Sequence, residues 1–415
     1  DRLLATEDSR RGTTRYGYTP NGQLEYAEYG DGTEQWRKSD SLGNLYPDPD
    51  CTVRRFLKGG AMEQDGKWHC EYDKDGNLTE RYIGTGRWLD GKKEHWKYRW
   101  NADGSLAKVI RPDSEEVTFE YDALGRRLSK SFGTTVTRWM WNGNVPLHQW
   151  KQRRSYSREQ NAWLAEEERK ERTLWLFEKE TFVPVAMLKE GKVYSILTDH
   201  LGTPTEAYDA KGNEVWSRTL DINGEVIEET GNVGMIPFLF QGQYYDRETG
   251  LAYNRFRYYS PQMGMYVSQD PIRLNASILN LFTYVTDVNS FIDLFGLAKS
   301  AYTKKSGPLH HIATNKNTKR GKKWTNKYKP FFDNAGLSMD CPENKVYVPG
   351  HKGPHPDEYH QYVYDKIDQA TSGIDPDTDK DNYKAALISA LEDVATEAQT
   401  EGTNVNIWLT KVKIL

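Results

Sequence analysis

From Tyr18 onward, short runs in which aromatic or aliphatic residues alternate with polar ones are broken by a polar pair and a glycine. The runs are "YTPNGQLEY" (Tyr18–Tyr26), "SDSLGNLY" (Ser39–Tyr46), "EYDKDGNLTERY" (Glu71–Tyr82), "RWNADGSLAKV" (Arg99–Val109), "EYDALGRRLSK" (Glu120–Lys130) and "AYDAKGNEVW" (Ala207–Trp216). A period of two predicts strands, and Asn-Gly or Asp-Gly supplies the positive φ that a two-residue hairpin turn requires. The glycines in question are Gly22, Gly43, Gly76, Gly104, Gly125 and Gly212. One hairpin cannot bury its face, so repeated hairpins must stack or curl into an extended sheet. An ordinary β-sandwich with similar turns is the alternative. The stretch "KQRRSYSREQNAWLAEEERKERTLW" (Lys151–Trp175) breaks the pattern. It is charged and moderately helical, which predicts a protruding, solvated insertion.

Beyond Leu297 the repeats stop. A short strand or hairpin is expected at His310–Ala313, then a basic loop carrying Trp324 and Tyr328, and a helical piece over Pro330–Ala335 ended by Gly336. A strand follows at Lys345–Val348. One helix should start near Pro356, which suits a first helical turn, and run toward Ala370. A second spans "NYKAALISALEDVATEAQ" (Asn382–Gln399), and the alternating "NVNIWLTKVKIL" (Asn404–Leu415) predicts a closing strand. The chain therefore divides into a mainly β part, residues 1–297, and a small α+β domain, residues 298–415.

Composition sharpens this picture. A chain of 415 residues exceeds one ordinary core. Only 37% is apolar, yet 26 tyrosines and 13 tryptophans are present, which favours strands. No apolar run approaches a membrane span, and nothing resembles a secretory signal. The first residue, Asp1, reads as the start of an excised part of a longer polypeptide. Cys51, Cys70 and Cys341 make neither a disulfide framework nor a zinc ribbon; reduced thiols are preferred to a Cys51–Cys70 pair. Net charge is −4, but no acid interrupts the lysines and arginine between Ala298 and Phe332. Lys316, Lys319, Arg320, Lys322 and Lys323 lie beside a histidine cluster with Trp324 and Tyr328 interleaved. This favours phosphate contact over a solvated linker. "DPDTDKDNY" (Asp375–Tyr383) lacks the glycine and final acid of a calcium loop and reads as a helix-capping acidic turn.

The alternating units resemble the tyrosine-aspartate repeats of the Rhs/YD-repeat family. "FLFQGQYYDRETGLAYNRFRYYSPQMGMYVSQDPI" (Phe238–Ile272) is similar to the Rhs core that ends the repeat region. The resemblance implies a β-shell of stacked hairpins around a C-terminal toxin. It also implies self-cleavage after the leucine of "VNSFIDLFGLAKS" (Val288–Ser300). Asp293, Gly296 and Leu297 match that motif, while Val288 and Leu294 stand where the family has prolines. Cleavage between Leu297 and Ala298 would be aspartyl in style. Two neighbouring carboxylates cannot both ionise cheaply, so one keeps a proton while the other activates water. Asp293 and Asp270 are the implied pair, with Arg257 orienting the cut peptide. Alternatively, Asp270 and Asp293 cap turns beside Pro271 and Gly296.

Of nine histidines, five fall in one short region: His310, His311, His351, His355 and His360. Neutral imidazole binds borderline divalent metals and titrates near neutral pH. Neighbours on a strand point to opposite faces, so His310 and His311 suit different jobs, one holding metal and the other acting as base. His351 or His355 brings a second ligand. His360, five residues past His355, faces away as an outer or exposed residue, and Tyr359 and Val363 read as core. The set "GPLHHIATNK…FFDNAGLSMDCPENKVYVPGHKGPHPDEYH" resembles the AHH nucleases of the HNH/endonuclease VII (His-Me finger) superfamily, with Leu309 where a small residue is common. The resemblance makes His310 a metal ligand and His311 the general base. Asn344 would orient the strand or the base, and His355, with His351, would complete the site. It implies a divalent ion (Mg, Zn, Mn or Ni) and DNA as substrate, with RNA open. It further implies a cognate immunity protein, a secretion carrier or chaperone such as that of type VI secretion, and action in a competitor's cytoplasm after synthesis in the producer's. A non-enzymatic YD-repeat surface protein with a structural metal, and a metal-free RNase toxin, are the alternatives.

Overall fold

The computed structural model describes residues 2–9, 11–84, 93–179, 181–271, 280–297, 300–301, 309–314, 323–348, 352, 355–399 and 403–411. It divides into two compact units, Asp1–Tyr302 and Thr303–Leu415. The first opens with a four-stranded antiparallel meander, Ala5–Asp8, Gly12–Tyr18, Leu24–Glu28 and Glu34–Trp36. A closed antiparallel barrel then runs from Arg54–Phe56 to Val226–Gly231. Successive strands pair with their neighbours, as an array of hairpins must. A smaller sheet, Tyr244–Asp246, Leu251–Asn254, Arg257–Ser260 and Met265–Tyr266, packs Leu251, Tyr253 and Tyr258 against barrel residues such as Val109, Val117 and Phe119.

The repeat glycines do adopt positive φ, but the turns differ from expectation. In "YDKDGN" the Asp73 carbonyl accepts from Gly76 N, and Asp73 N donates to the Asn77 carbonyl. That is a three-residue connection with Gly76, at φ 77°, as the left-handed residue of a bulge, not a two-residue turn. Asp73 Oδ1 also accepts the amides of Asp75 and Asn77, each at 2.9 Å. The loops at Asp40, Asp122, Asp209 and Asp221 repeat this bonding. The repeated aspartate is thus a loop clamp. It takes N–H groups that the bulge leaves without a ladder partner.

The Lys151–Trp175 insertion is β, not helical. The long strand Val145–Ser157 extends into a ribbon with Ala162–Ala165, and Lys170–Phe177 returns to the barrel. Along the ribbon Arg154 lies 4.7 Å over the exposed Trp163 ring, whose edge meets Tyr156. Period-two placement of these aromatics outweighs the helix-favouring glutamates. The barrel is tied to the small sheet by Arg127, which is 1% exposed and paired bidentately with the fully buried Asp246. Lys130 Nζ reaches the same carboxylate at 2.9 Å. Cys51, Cys70 and Cys341 are free thiols.

In the second unit the short strands Leu309–His311 and Lys345–Tyr347 pair antiparallel. Four helices follow the chain: α1 (Lys323–Ala335), α2 (Asp357–Thr371), α3 (Lys380–Gln399) and α4 (Asn404–Thr410). Two expectations fail here. The stretch with Trp324 and Tyr328 is the start of α1, not a loop, and Pro330 lies inside that helix rather than at its start. Trp324, Tyr328, Phe332 and Ala335 form one buried stripe at helical spacing. The closing strand is α4. Val405, Ile407 and Leu409 alternate, but Val405 and Leu409 are also one turn apart and both fully buried. The Thr403 hydroxyl caps the Asn406 amide at 3.1 Å and settles the choice. Pro356 is the N-cap of α2. No helix among the described residues is long and apolar enough to cross a membrane.

Candidate functional site

In the Leu309–His311 strand, His310 stands opposite Val346 and His311 opposite Lys345. Alternation sends the two imidazoles to opposite faces. His310 turns inward, 5% exposed, and its ring meets that of His355 edge-on with centroids 4.6 Å apart. Its Nε2 lies 2.7 Å from the Tyr359 hydroxyl, which donates to the Ile312 carbonyl at 3.0 Å. A carbonyl only accepts, so both bonds hold together only if His310 Nε2 carries the hydrogen. Nδ1 is then the basic nitrogen of His310. Burial pushes the Tyr359 phenol well above its ordinary range, so the proton it donates stays on it.

His311 is half-buried, with Nε2 3.0 Å from Asp340 Oδ1. A carboxylate accepts, so Nε2 donates and Nδ1 again holds the lone pair. Directly opposed residues of an antiparallel pair share a face, which puts Lys345 on the face of His311. Asn344 is fully buried and touches neither imidazole in any bond described here. Its Oδ1 accepts Ala313 N at 2.7 Å, and its Nδ2 donates to the Ala313 and Met339 carbonyls at 2.8 and 2.7 Å. It clamps the end of the histidine strand.

His355, half-buried, stands just before α2, and Tyr359 lies one turn along with ring centroids 5.2 Å apart. His360 is buried, not exposed: it stacks on Trp324 at 5.5 Å, and burial pulls its pKa down to about 4. Its ring also stands edge-on to His355 with centroids 6.1 Å apart, an outer position beside the pair, and it packs onto α1, which sequence reasoning had as a loop. Lys323 opens α1, exposed, 3.4 Å from Asp357 Oδ2. His351, Lys316, Lys319, Arg320 and Lys322 lie outside the described residues, as does Ala298. Among the described residues no three His, Cys, Asp or Glu side chains are grouped to hold a metal ion. The donor set that is described, two imidazoles in contact, fits a borderline divalent ion.

A second constellation occupies the first unit. Arg257 Nη2 lies 3.0 Å from Asp270 Oδ2 and 3.3 Å from Asp293 Oδ2, and all three residues are buried. Arg257 Nε donates to the Gly296 carbonyl. Asp293 Oδ1 accepts the amides of Phe295, Gly296 and Leu297 at 3.3, 2.8 and 3.1 Å. Asp293 therefore caps the turn with one oxygen and meets Arg257 with the other. Burial pushes its pKa up, against the pull of Arg257, Tyr266 and the turn amides. Gly296 has φ 70°, and a Cβ there would come 2.6 Å from the Asn254 carbonyl oxygen. Beyond the turn, Ser300–Ala301 pairs back onto Phe291–Ile292.

Residues 3–291 match the family described as Teneurin YD-shell. The chain belongs to the YD-shell family. Downstream of the YD shell, residues 297–398 match a nuclease family of the HNH/ENDO VII superfamily with conserved AHH. This is an Rhs/YD-type chain with an AHH domain. It is 28% identical over 320 residues to double-stranded DNA deaminase toxin A of Burkholderia cenocepacia, covering 72% of this chain and 22% of that protein. It is 27% identical over 326 residues to probable deoxyribonuclease RhsA of Dickeya dadantii, covering 72% and 21%. The chain thus spans about a fifth of the length of these relatives. A crystal structure titled TcdB2-TccC3-TEV matches with 16% identity and a TM-score of 0.42, covering 71% of this chain and 17% of that one. Four residues of the two constellations escaped sequence reasoning. Tyr359 was read as core only, and its spacing from His355 was the one available signal; Asp340, Asn254 and Tyr266 carried none.

Proposed function

We propose that the AHH unit hydrolyses phosphodiester bonds, DNA first, and that it is freed from the YD shell by cleavage between Leu297 and Ala298. The observation that carries the first part is the buried contact of His310 with His355 in the unit that matches the AHH nucleases. The named activities of the two relatives differ, so they do not choose the reaction; the AHH match does.

His310 through Nδ1, His355 and, as a further donor, His351 would hold a divalent ion, which supplies positive charge at the leaving oxygen. Tyr359 holds His310 in the required tautomer. His311 Nδ1 takes the proton from the attacking water, and Asp340 fixes which nitrogen is basic. Asn344 keeps the histidine strand in place. Lys323, with Lys316, Lys319, Arg320 and Lys322, binds flanking phosphates without reading bases.

The cleavage is a hydrolysis. Water adds to the Leu297 carbonyl carbon, the C–N bond breaks, and the nitrogen of Ala298 takes a proton. Asp270 and Asp293 share the acid and base roles, and Arg257 holds the segment through Gly296. On this reading the chain is part of a secreted effector, made in the producer and acting in a competitor's cytoplasm. A cognate immunity protein and a secretion carrier or chaperone, as in type VI delivery, are its partners; relatives named as toxins support this.

The test is plasmid nicking by the full chain with and without chelator. We expect chelator and His311→Ala each to abolish nicking, with bound metal lost in His310→Ala and kept in His311→Ala. Unchanged nicking in chelator, with RNA also cut, would replace the reading by a metal-free RNase. No hydrolysis by a chain that keeps stoichiometric metal would leave only a structural metal site.

A further inference from the structure

The carboxylate of Asp293 is surrounded by donors. Oδ1 takes the three turn amides, and Oδ2 takes Arg257 Nη2 at 3.3 Å and the Tyr266 hydroxyl at 2.9 Å. The direction of the last bond can be worked out. Asn254 Nδ2 lies 2.8 Å from the Asp293 backbone carbonyl, which only accepts, so that atom is the amide nitrogen. The same nitrogen donates to the Tyr266 oxygen at 2.7 Å. Tyr266 receives one hydrogen bond there and donates its own to Asp293 Oδ2. The sequence Asn254 to Tyr266 to Asp293 is a relay with one direction, buried throughout.

We propose that Tyr266 is a positioning residue of the cleavage centre: oriented by Asn254, it keeps Asp293 as the ionised carboxylate, so that the proton is carried by Asp270 across Arg257. This rests on the self-cleavage reading above and divides the roles that reading leaves shared. A proton on Asp293 would have to point at a donor on either oxygen, which none of these five contacts tolerates. The Tyr266 ring does a second job, since the Arg257 guanidinium lies 3.6 Å above its centroid. Among the described residues, the charged and titratable groups facing Asp293 are Arg257 and Tyr266 from the small sheet, Asp270 beyond Arg257, and Tyr284, whose hydroxyl oxygen is 3.4 Å from Asp293 N. Burial raises the Asp293 pKa overall, and Arg257, then the Tyr266 bond and the turn amides, pull it back; the five donors, and not that balance, carry the proposal. Tyr266→Phe keeps the ring under Arg257 and removes only the hydroxyl.

The experiment refolds the full chain by dilution from denaturant at a series of pH values and follows the cut after Leu297 by timed intact-mass measurement. In the parent chain the rate should fall as pH drops through the folded pKa of Asp293. In Tyr266→Phe that acid limb should move to higher pH by about one unit, on the scale of one charge-assisted hydrogen bond. The rate on the plateau above it should change less than tenfold. Asn254→Ala, which withdraws the donor that orients the hydroxyl together with its bond to the Asp293 carbonyl, should shift the limb the same way by less; it serves as the test if Tyr266→Phe fails to fold. A parent chain that stays uncut refutes the self-cleavage reading itself. A parent chain that cuts, with the limb unmoved in either folded variant, overturns the relay and leaves that reading standing.

Discussion

Asn344 and Asp246 show how much can hang on one side chain. Asn344→Ala leaves the Ala313 amide and the Ala313 and Met339 carbonyls without their partner inside the core. It should destabilise the AHH unit by about 3 kcal/mol, read as a lowered denaturant midpoint. Asn344→Asp should cost more, because a carboxylate would then face two carbonyl oxygens. In the YD shell, Asp246→Ala strands the buried guanidinium of Arg127 and leaves Lys130 with its Glu248 partner alone. A loss of about 3–5 kcal/mol is expected, visible in the guanidinium unfolding of the shell. Arg127 also lies within 4.5 Å of the Trp139 ring centroid and 4.6 Å of that of Tyr253, so Asp246→Asn should recover only part of the loss.

Two of the recurring hairpin loops carry a pH signature, while burial pushes the Asp221 carboxyl of another upward. Hydrogen bonds from Asn213 hold the Asp209 carboxyl below its usual range. Burial works upward on Asp122, but the bonds from Arg126 outweigh it and its pKa is also lowered. A depressed folded pKa contributes stability above the unfolded value of about 3.9, lost as pH falls through the folded pKa. The contribution of these two loops to the thermal stability of the shell should therefore be nearly flat from neutrality to roughly pH 5 and be lost below about 4. Asp122→Asn should blunt part of that loss. In the AHH unit, α4 depends on its cap, and Thr403→Ala should cost about 1 kcal/mol and fray it, measured by amide exchange at Asn406 and Ile407.

For the whole chain the two units combine a binding term with a release term. If the basic stretch before and into α1 meets phosphates, DNA affinity should fall with salt with a log–log slope of about −0.9 per contact. Lys323→Ala should lower that slope by roughly one without changing base preference.

Short-range order was legible before any coordinates. Alternation around the repeat glycines marked strands, and Pro356 with the helical spacing of Tyr359 and Val363 marked α2. The neighbouring histidines on a strand had to part to opposite faces, and they do. Such features depend on residues within a few positions of one another, where backbone geometry dictates which way side chains point. Where two periods fit the same residues, as in Asn404–Thr410, the alternation pointed to a strand, and burial of Val405 and Leu409 with a threonine cap made a helix instead. Apart from the groupings that the family resemblance implied, long-range partners were hidden: Arg127 finds Asp246 119 positions away, His310 finds Tyr359 49 away, and Tyr266 finds Asp293 27 away. A buried donor must find an acceptor, but which one is set by how the chain closes on itself, and that is a property of packing rather than of any local run of residues.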